Sequence, residues 1–201
     1  MREVRLVAVN VAVLLPSNVA IQVAQLNARL QPPPDGFVFD KDHFPHLTLI
    51  QLFARYDQMK TLRESIADVL RSTQPLALRT TTVSCARTTS TLGIEPSTAL
   101  VELHQRLINQ LEPFTCTGGG IDTFYTNGEL PRQSDVDWVR CFRTQSANAQ
   151  YKPHITLGVG DLTTSISPLT FTAAEVAICH LGRFCTCRAV FTKWALTDRP
   201  A

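Results

Sequence analysis

A five-residue segment that contains a histidine and a threonine occurs twice in the chain. Pro45-His46-Leu47-Thr48-Leu49 returns 108 residues later as Pro153-His154-Ile155-Thr156-Leu157. Two of the five histidines therefore have matching neighbours, which is far more specific than an isolated His-x-Thr triplet. An imidazole has an ordinary pKa of about 6.5, so two of them can supply a general base and a general acid near neutral pH. The threonine hydroxyls can hold phosphate oxygens. This set of groups is sufficient for phosphodiester chemistry without a metal.

Strand geometry predicts where these side chains point. Residues i and i+2 of a β-strand lie on the same face, so the histidine and threonine of each segment share one face. The aliphatic residues between them then face a core. An internal duplication can bring both strands side by side around a pseudo-twofold axis, which places two histidines and two threonines in one cleft. A single copy would indicate only a histidine satisfied by a neighbouring threonine on a half-exposed sheet.

The paired segments resemble the two H-x-[ST]-x motifs of the 2H phosphoesterases, which include the bacterial 2′-5′ RNA ligase-like proteins and the 2′,3′-cyclic phosphodiesterases. The resemblance covers most of the chain, because the order of strands and helices around the motifs also matches. It implies an α+β fold that is bilobal, with pseudo-twofold antiparallel sheets flanked by helices and a central cleft. It also implies a phosphoric diester hydrolase without cofactor or metal. The implied substrates are nucleotides or RNA with a 2′,3′-cyclic phosphate or a 2′-5′ linkage.

The resemblance carries catalytic roles to His46, Thr48, His154 and Thr156. We assign His154 as the base that activates water and His46 as the acid on the leaving 3′ oxygen. The exchanged assignment stays open, since sequence does not distinguish near-symmetric histidines.

Two residues directly before the second motif are predicted to bind substrate. Lys152 would meet a phosphate, and Tyr151 would stack on a base. The alternative is an exposed loop pair without a ligand. The other three histidines (His43, His104 and His180) have no partner at a suggestive spacing and are interpreted as loop, structural or solvated residues. Phe124 and Tyr125 are expected to anchor the irregular segment 114–132, with contact to a base as the alternative.

The elements that must position the motifs follow one another in a mixed α and β order. Apolar and β-branched runs predict strands over 4–15, 47–53, 76–85, 87–94, 155–159, 174–181 and 188–197. Helices are predicted to Leu30 with Ser17 as N-cap, after Asp57 as a cap, from Pro96 and Ser97, and after Ser134 as a cap. No low-complexity linker interrupts this order, so residues 1–201 are expected to form a single bilobal domain.

Composition excludes several classes of protein. The 201 residues are 44% hydrophobic and carry a net charge of +2, from 19 Lys and Arg against 17 Asp and Glu. Such a chain is not disordered. It is also not basic enough to coat a polyanion, so a nucleic-acid partner would be held at a small site. No apolar run reaches the roughly 18 residues of a membrane span. The apolar stretch 6–15 has some likeness to a signal peptide, but Asn10 and Glu3 favour a core strand.

Six cysteines are too few for a disulfide scaffold, so we expect free thiols and a cytoplasmic location. Two other functions remain possible. One is an RNA-end-binding or 2′-5′ RNA ligase module that uses the same cleft. The other is a zinc protein, suggested by Cys179, His180, Cys185 and Cys187, although this spacing fits no familiar zinc motif and also suits a terminal hairpin.

Overall fold

The strands form one antiparallel sheet whose order brings the two motifs to its centre. The computed structural model describes residues 4–197. In this part of the chain the strands are β1 (Leu6–Leu14), β2 (His46–Arg55), β3 (Leu76–Ala86), β4 (Thr89–Ile94), β5 (His154–Val159), β6 (Thr170–Ala173), β7 (Glu175–Leu181) and β8 (Cys187–Ala195). The sheet order is β6-β3-β4-β5-β2-β1-β7-β8. The sheet curls into a half-barrel, and the fold is α+β as expected.

The sheet order divides the strands into two half-sheets. The first half-sheet contains β2, β1, β7 and β8, and the second contains β5, β4, β3 and β6. They join at the centre through one residue pair, Leu47 of β2 and Ile155 of β5. This arrangement is the pseudo-twofold, bilobal layout that the repeat implied. The helices are α1 (Ser17–Asn27), α2 (Met59–Leu70), α3 (Thr98–Gln110) and α4 (Gln133–Gln145).

One face of the curled sheet forms the main core with the helices. The odd-numbered valines of β1, for example Val9 and Val11, pack in the same cluster as Leu62 of α2 and Leu107 of α3. Each such side chain contributes about 1.5–3 kcal/mol when it leaves water. The even-numbered residues of β1 point to the other face, and all but one of them are alanine or leucine. The exception is Asn10, which is polar and fully buried.

A β-bulge interrupts the pairing of β1 with β2 beside the first motif. The register passes from Val11–Ile50 to Ala12–Thr48, so Leu49 is an extra residue on β2. Leu49 and Ile50 are consecutive, yet both are buried in the main core. A bulge permits this because the extra residue breaks the alternation of faces.

Most predicted elements are present, with differences at their ends. The N-terminal apolar stretch is a central strand, and Ser97 caps α3 by accepting a hydrogen bond from the Leu100 amide at 3.4 Å. The prediction of Ser134 as N-cap is wrong, because α4 begins at Gln133 and Arg132 occupies the cap position. Helix α1 ends at Asn27, before Leu30, where the Arg29 and Leu30 amides bond to the carbonyls three residues earlier. Ser17 and Asp57 are also not the N-caps that were predicted, because Pro16 and Gln58 occupy the cap positions of α1 and α2.

The sequence patterns did not indicate the short edge strand β6. It has only four residues, which is too few for alternation to be read, although Phe171 and Ala173 do face the core. Between residues 4 and 197, no helix combines the length and the apolar composition that crossing a membrane requires.

Candidate active site

The antiparallel pairing of β2 with β5 places the four motif side chains on one face. With Leu47 opposite Ile155, His46 comes opposite Thr156 and Thr48 comes opposite His154. Both aliphatic residues point into the main core, so the histidines and threonines share the opposite face. The two histidines are diagonal neighbours, whose Cβ atoms are roughly 7–8 Å apart in an antiparallel pair. This separation leaves room for a phosphate group between two imidazoles.

The prolines of the repeated segment explain why the two strands meet so briefly. In the register set by Leu47 and Ile155, Pro45 lies opposite Leu157 and Pro153 lies opposite Leu49. Proline has no N–H to donate to a ladder, so each proline ends the pairing on one side of the central pair. The strands can then diverge, which opens the sheet at the motifs.

The two imidazoles are held in the same way. The Nδ1 atom of His46 is 2.7 Å from the carbonyl oxygen of Phe44, and that of His154 is 2.8 Å from the carbonyl oxygen of Lys152. In both cases the acceptor belongs to the residue two positions earlier. A carbonyl only accepts, so Nδ1 carries the proton and donates it. The other ring nitrogen, Nε2, is then the ring atom of each histidine that can take up or release a proton.

The surroundings of the two histidines differ. His46 is 9% exposed, whereas His154 is half-buried. Loss of contact with water lowers the pKa of His46 to about 4, although its hydrogen bond to Phe44 acts in the opposite direction and the charge of His154 lowers the pKa further. This charge effect also shows that the two imidazoles are within electrostatic reach of each other. His46 is therefore neutral at physiological pH.

The buried Asn10 binds the threonine of the first motif. Its Nδ2 atom donates a hydrogen bond of 3.0 Å to Thr48 Oγ1 and also lies 3.4 Å from Cys187 Sγ. Because Thr48 Oγ1 accepts from Asn10, its own hydrogen is free to point at a ligand. In the sequence, Asn10 stands out only as a polar residue in an apolar strand. That anomaly was the available signal, since a buried amide needs a partner.

Tyr151 does not lie at the mouth of the cleft as predicted. Its hydroxyl donates to the Thr48 carbonyl at 3.0 Å, and its ring stacks on His104 at a centroid distance of 3.7 Å with 2° between the planes. One ring face and the hydroxyl are thus engaged inside the protein, because the segment before β5 runs back along β2. The Lys152 side chain is exposed as expected. This placement leaves only the other ring face of Tyr151 for stacking on a base.

A second group of ionisable side chains lies next to the first motif. His43, expected to be a loop residue, is 5% exposed, with Nδ1 at 3.4 Å from Asp40 and Nε2 at 3.6 Å from Glu129. Glu129 also pairs with Arg188 at 2.7 Å. Burial, followed by the charge of Arg188, lowers the pKa of His43, although the carboxylates of Asp40 and Glu129 act in the opposite direction. Neither ring nitrogen of His43 has a hydrogen-bond partner within residues 4–197.

The residues of the possible zinc site do not converge on one point. His180 Nε2 donates to the Thr123 carbonyl at 2.9 Å, and Cys185 Sγ contacts the Asp135 carbonyl at 3.5 Å. Cys179 and Cys187 are buried together on the face of Asn10. Among residues 4–197 no three His, Cys, Asp or Glu side chains are grouped so as to hold a metal ion. The alternative interpretation, apolar residues of a terminal hairpin, fits β7 and β8.

Comparison with known proteins agrees with this geometry. The sequence profile of the 2′-5′ RNA ligase superfamily matches residues 15–178. The chain belongs to the 2′-5′ RNA ligase superfamily. The resemblance to the 2H phosphoesterases that the two motifs suggested is thereby confirmed. No curated protein matches the chain.

Solved structures with a similar fold match this superfamily member over almost its whole length. Escherichia coli LigT in complex with NADP⁺ has a TM-score of 0.61 and 20% identity, over 96% of this chain and 100% of LigT. TT0787 of Thermus thermophilus has a TM-score of 0.61 and 16% identity, over 96% of this chain and 100% of TT0787. A protein described as a phosphoesterase has a TM-score of 0.57 and 22% identity, over 95% of this chain and 99% of that protein. LigT has also been solved with 3′-AMP and with ATP. At these identities the likeness concerns the fold.

Proposed function

We propose that the protein is a metal-independent phosphodiesterase that hydrolyses 2′,3′-cyclic phosphates or 2′-5′ phosphodiester bonds of nucleotides or RNA. The observation that carries this proposal is the diagonal pair His46 and His154, each with Nδ1 held by a carbonyl and Nε2 free. Thr48 and Thr156 lie on the same face and supply hydroxyl donors for the non-bridging oxygens. Each acid or base role is typically worth 10²- to 10⁴-fold in rate.

The reaction needs one neutral and one protonated imidazole on opposite sides of the phosphorus. The base takes a proton from water as its oxygen bonds to phosphorus, the bond to the 3′ oxygen breaks, and the acid protonates that oxygen. The product of a 2′,3′-cyclic phosphate is then a 2′-phosphate. Because burial keeps His46 neutral at physiological pH, we assign His46 as the base and the more exposed His154 as the acid. This reverses the assignment made from the sequence alone, which had left the exchange open.

The substrate class follows from the family and from the character of the site. LigT has been solved with several nucleotides, which supports a nucleotide or a nucleotide end as the ligand of this chain too. A net charge of +2 is sufficient if one or two phosphates are held by imidazoles and hydroxyls. The exposed Lys152 would contact a further phosphate of a longer substrate. A cytoplasmic location would suit such substrates.

Direct turnover assays test the proposal. The purified protein is incubated with the four 2′,3′-cyclic nucleotides and with 2′-5′ oligoadenylate in the presence of EDTA, and the products are separated by chromatography. Hydrolysis that is insensitive to EDTA and yields 2′-phosphates is the expected result. No turnover of any of these substrates by the folded protein would overturn it.

The same preparation tests the ligase or end-binding alternative. RNA with a 2′,3′-cyclic phosphate end is mixed with RNA that has a 5′-hydroxyl end, and joined and hydrolysed products are both measured. Hydrolysis in excess of joining is expected. Joining alone, or tight binding of the ends with no bond broken, would favour the alternative.

A further inference from the structure

We infer that the stacked pair of His104 and Tyr151 is a positioning device that holds the first motif at a fixed distance from the second. Neither residue would touch the substrate. The inference rests on the proposed function for its kinetic consequences, but the geometry that carries it is independent of any activity.

The pair binds the backbone of the first motif at two consecutive residues. The Tyr151 hydroxyl donates to the Thr48 carbonyl at 3.0 Å, and His104 Nδ1 lies 2.7 Å from the Leu49 carbonyl. Tyr151 itself is only three residues before His154. One rigid unit of two parallel rings therefore connects the backbone under Thr48 to the segment that leads into His154.

These ties lie where the ordinary sheet contacts are missing. Leu49 is the extra residue of the bulge, so its carbonyl is not part of the regular ladder with β1. On the other side of β2, the ladder with β5 ends because Pro153, opposite Leu49, has no N–H to donate. Without another donor, the Thr48–Leu49 backbone would be poorly held on both sides. The side chains of Tyr151 and His104 replace the missing strand contacts.

The hydrogen bonds determine which form of His104 can do this. The Asn148 amide donates to His104 Nε2 at 3.0 Å, so Nε2 must be unprotonated and Nδ1 must carry the proton that goes to Leu49. Asn148 adopts a φ of 54°, a left-handed conformation that asparagine tolerates better than most residues. Burial lowers the pKa of His104 and raises that of Tyr151, which keeps both groups neutral. A protonated His104 would lose the bond from Asn148.

Removal of one hydroxyl tests the inference. Tyr151→Phe keeps the stacked ring and deletes the tie to Thr48. The matched control is Tyr125→Phe, which also removes a hydroxyl from a tyrosine in contact with a histidine, here His180 at 5.7 Å, and whose hydroxyl has no hydrogen bond to either motif identified in residues 4–197. On a 2′,3′-cyclic nucleotide we expect Tyr151→Phe to lower kcat about tenfold with KM unchanged within twofold. Tyr125→Phe should change neither by more than twofold.

Two further variants separate the two hydrogen bonds of His104. His104→Asn keeps a donor near the position of Nδ1, whereas His104→Gln keeps an acceptor near the position of Nε2. If the tie to Leu49 positions the motif, His104→Asn retains more of the wild-type kcat than His104→Gln at equal thermal stability. Equal kcat in both would overturn that step. In a His46→Ala background, Tyr151→Phe should cause no further loss of kcat, since the effect of Tyr151 on kcat depends on the position of the first motif.

A measurement without substrate distinguishes failure of this inference from failure of the proposed function. The ring ¹⁵N signals of His46 and His154 should shift in Tyr151→Phe and stay in place in Tyr125→Phe, even if no phosphodiester is hydrolysed. The ¹⁵N spectrum of His104 should show the Nδ1–H form in the wild-type protein. Unchanged signals of His46 and His154, or equal changes in both tyrosine variants, would overturn the positioning role.

Discussion

The two motifs share the bond that orients each imidazole, but their neighbours across the sheet differ. In the first motif, Leu14 of β1 pairs with His46 and covers it. In the second, Gly93 of β4 pairs with His154 and has no side chain to cover it. The first histidine is consequently buried and its partner half-exposed. A repeated segment can thus keep one geometry while its two copies differ in their exposure to water.

The largest effect should come from removal of either imidazole. His46→Ala and His154→Ala should each lower kcat/KM by about 10²- to 10⁴-fold, because each histidine transfers one proton in the proposed reaction. Steady-state kinetics on the fastest cyclic nucleotide measures this loss, and far-UV circular dichroism with thermal unfolding confirms that the variants are folded. A variant that keeps its activity would show that its motif is only a structural copy of the other.

The difference in burial should appear as a difference in pH-dependent stability. In the unfolded chain, a histidine such as residue 46 takes up a proton near pH 6.5, whereas folding lowers the pKa of His46 to about 4. The stability that the neutral His46 contributes is therefore fully present above pH 6.5 and is lost as the pH falls towards 4. The difference corresponds to about 3 kcal/mol over this range.

Urea unfolding of the wild-type protein and of His46→Gln at pH 7 and pH 4 measures this contribution. The free energy of unfolding should fall less between the two pH values in His46→Gln, by about 3 kcal/mol. The other buried histidines are common to both proteins and cancel in the comparison. His154→Gln is the matched control and should keep most of the wild-type pH dependence, because burial, the largest cause of the lowered pKa of His46, is unchanged in it. An identical pH dependence in His46→Gln would contradict the assignment of a buried neutral base.

The part of the site that sequence predicted is the part governed by local periodicity. Alternation along a strand places His46 with Thr48 and His154 with Thr156, and the duplication suggested that the two strands meet, as they do at Leu47 and Ile155. The same reasoning identified the apolar N-terminal stretch as a core strand, β1. These inferences need only the residues of one strand and its copy.

The supporting residues were not predicted because they act across long separations in the chain. Asn10 reaches Thr48 over 38 positions, and His104 reaches Leu49 over 55. Nothing in the sequence near either residue specifies these partners. The direction of the Tyr151 ring was also not predicted, since a tyrosine before a strand can point to solvent or back along the neighbouring strand. The bulge at Leu49 and the proline at 153 leave backbone carbonyls without strand partners, and these carbonyls determine which way the Tyr151 ring points. The effects of the bulge and of the proline both depend on the paired sheet.

The contact of Asn10 with Thr48 provides the finest test of the difference between the motifs, because only the first threonine has such a partner identified in residues 4–197. Asn10→Val suits the valine-rich strand and removes the donor to Thr48 Oγ1, so the hydroxyl is no longer oriented towards the phosphate. We expect kcat to fall about tenfold, the equivalent of roughly 1.4 kcal/mol, as measured by steady-state kinetics. In a Thr48→Val background the same substitution should have no further effect. An undiminished loss in that background would show that Asn10 acts by another route.

Stability should move in the opposite direction from activity in this variant. The buried Asn10 Oδ1 has no hydrogen-bond partner in the described part of the chain, and such an orphan acceptor costs about 1–3 kcal/mol. Valine has a similar size and removes that cost, so Asn10→Val should melt at or above the temperature of the wild-type protein. A lower melting temperature together with the lost activity would mean that Asn10 supports the fold and not the hydroxyl. A variant that is more stable and less active would show that a buried amide persists in an apolar strand for the sake of Thr48.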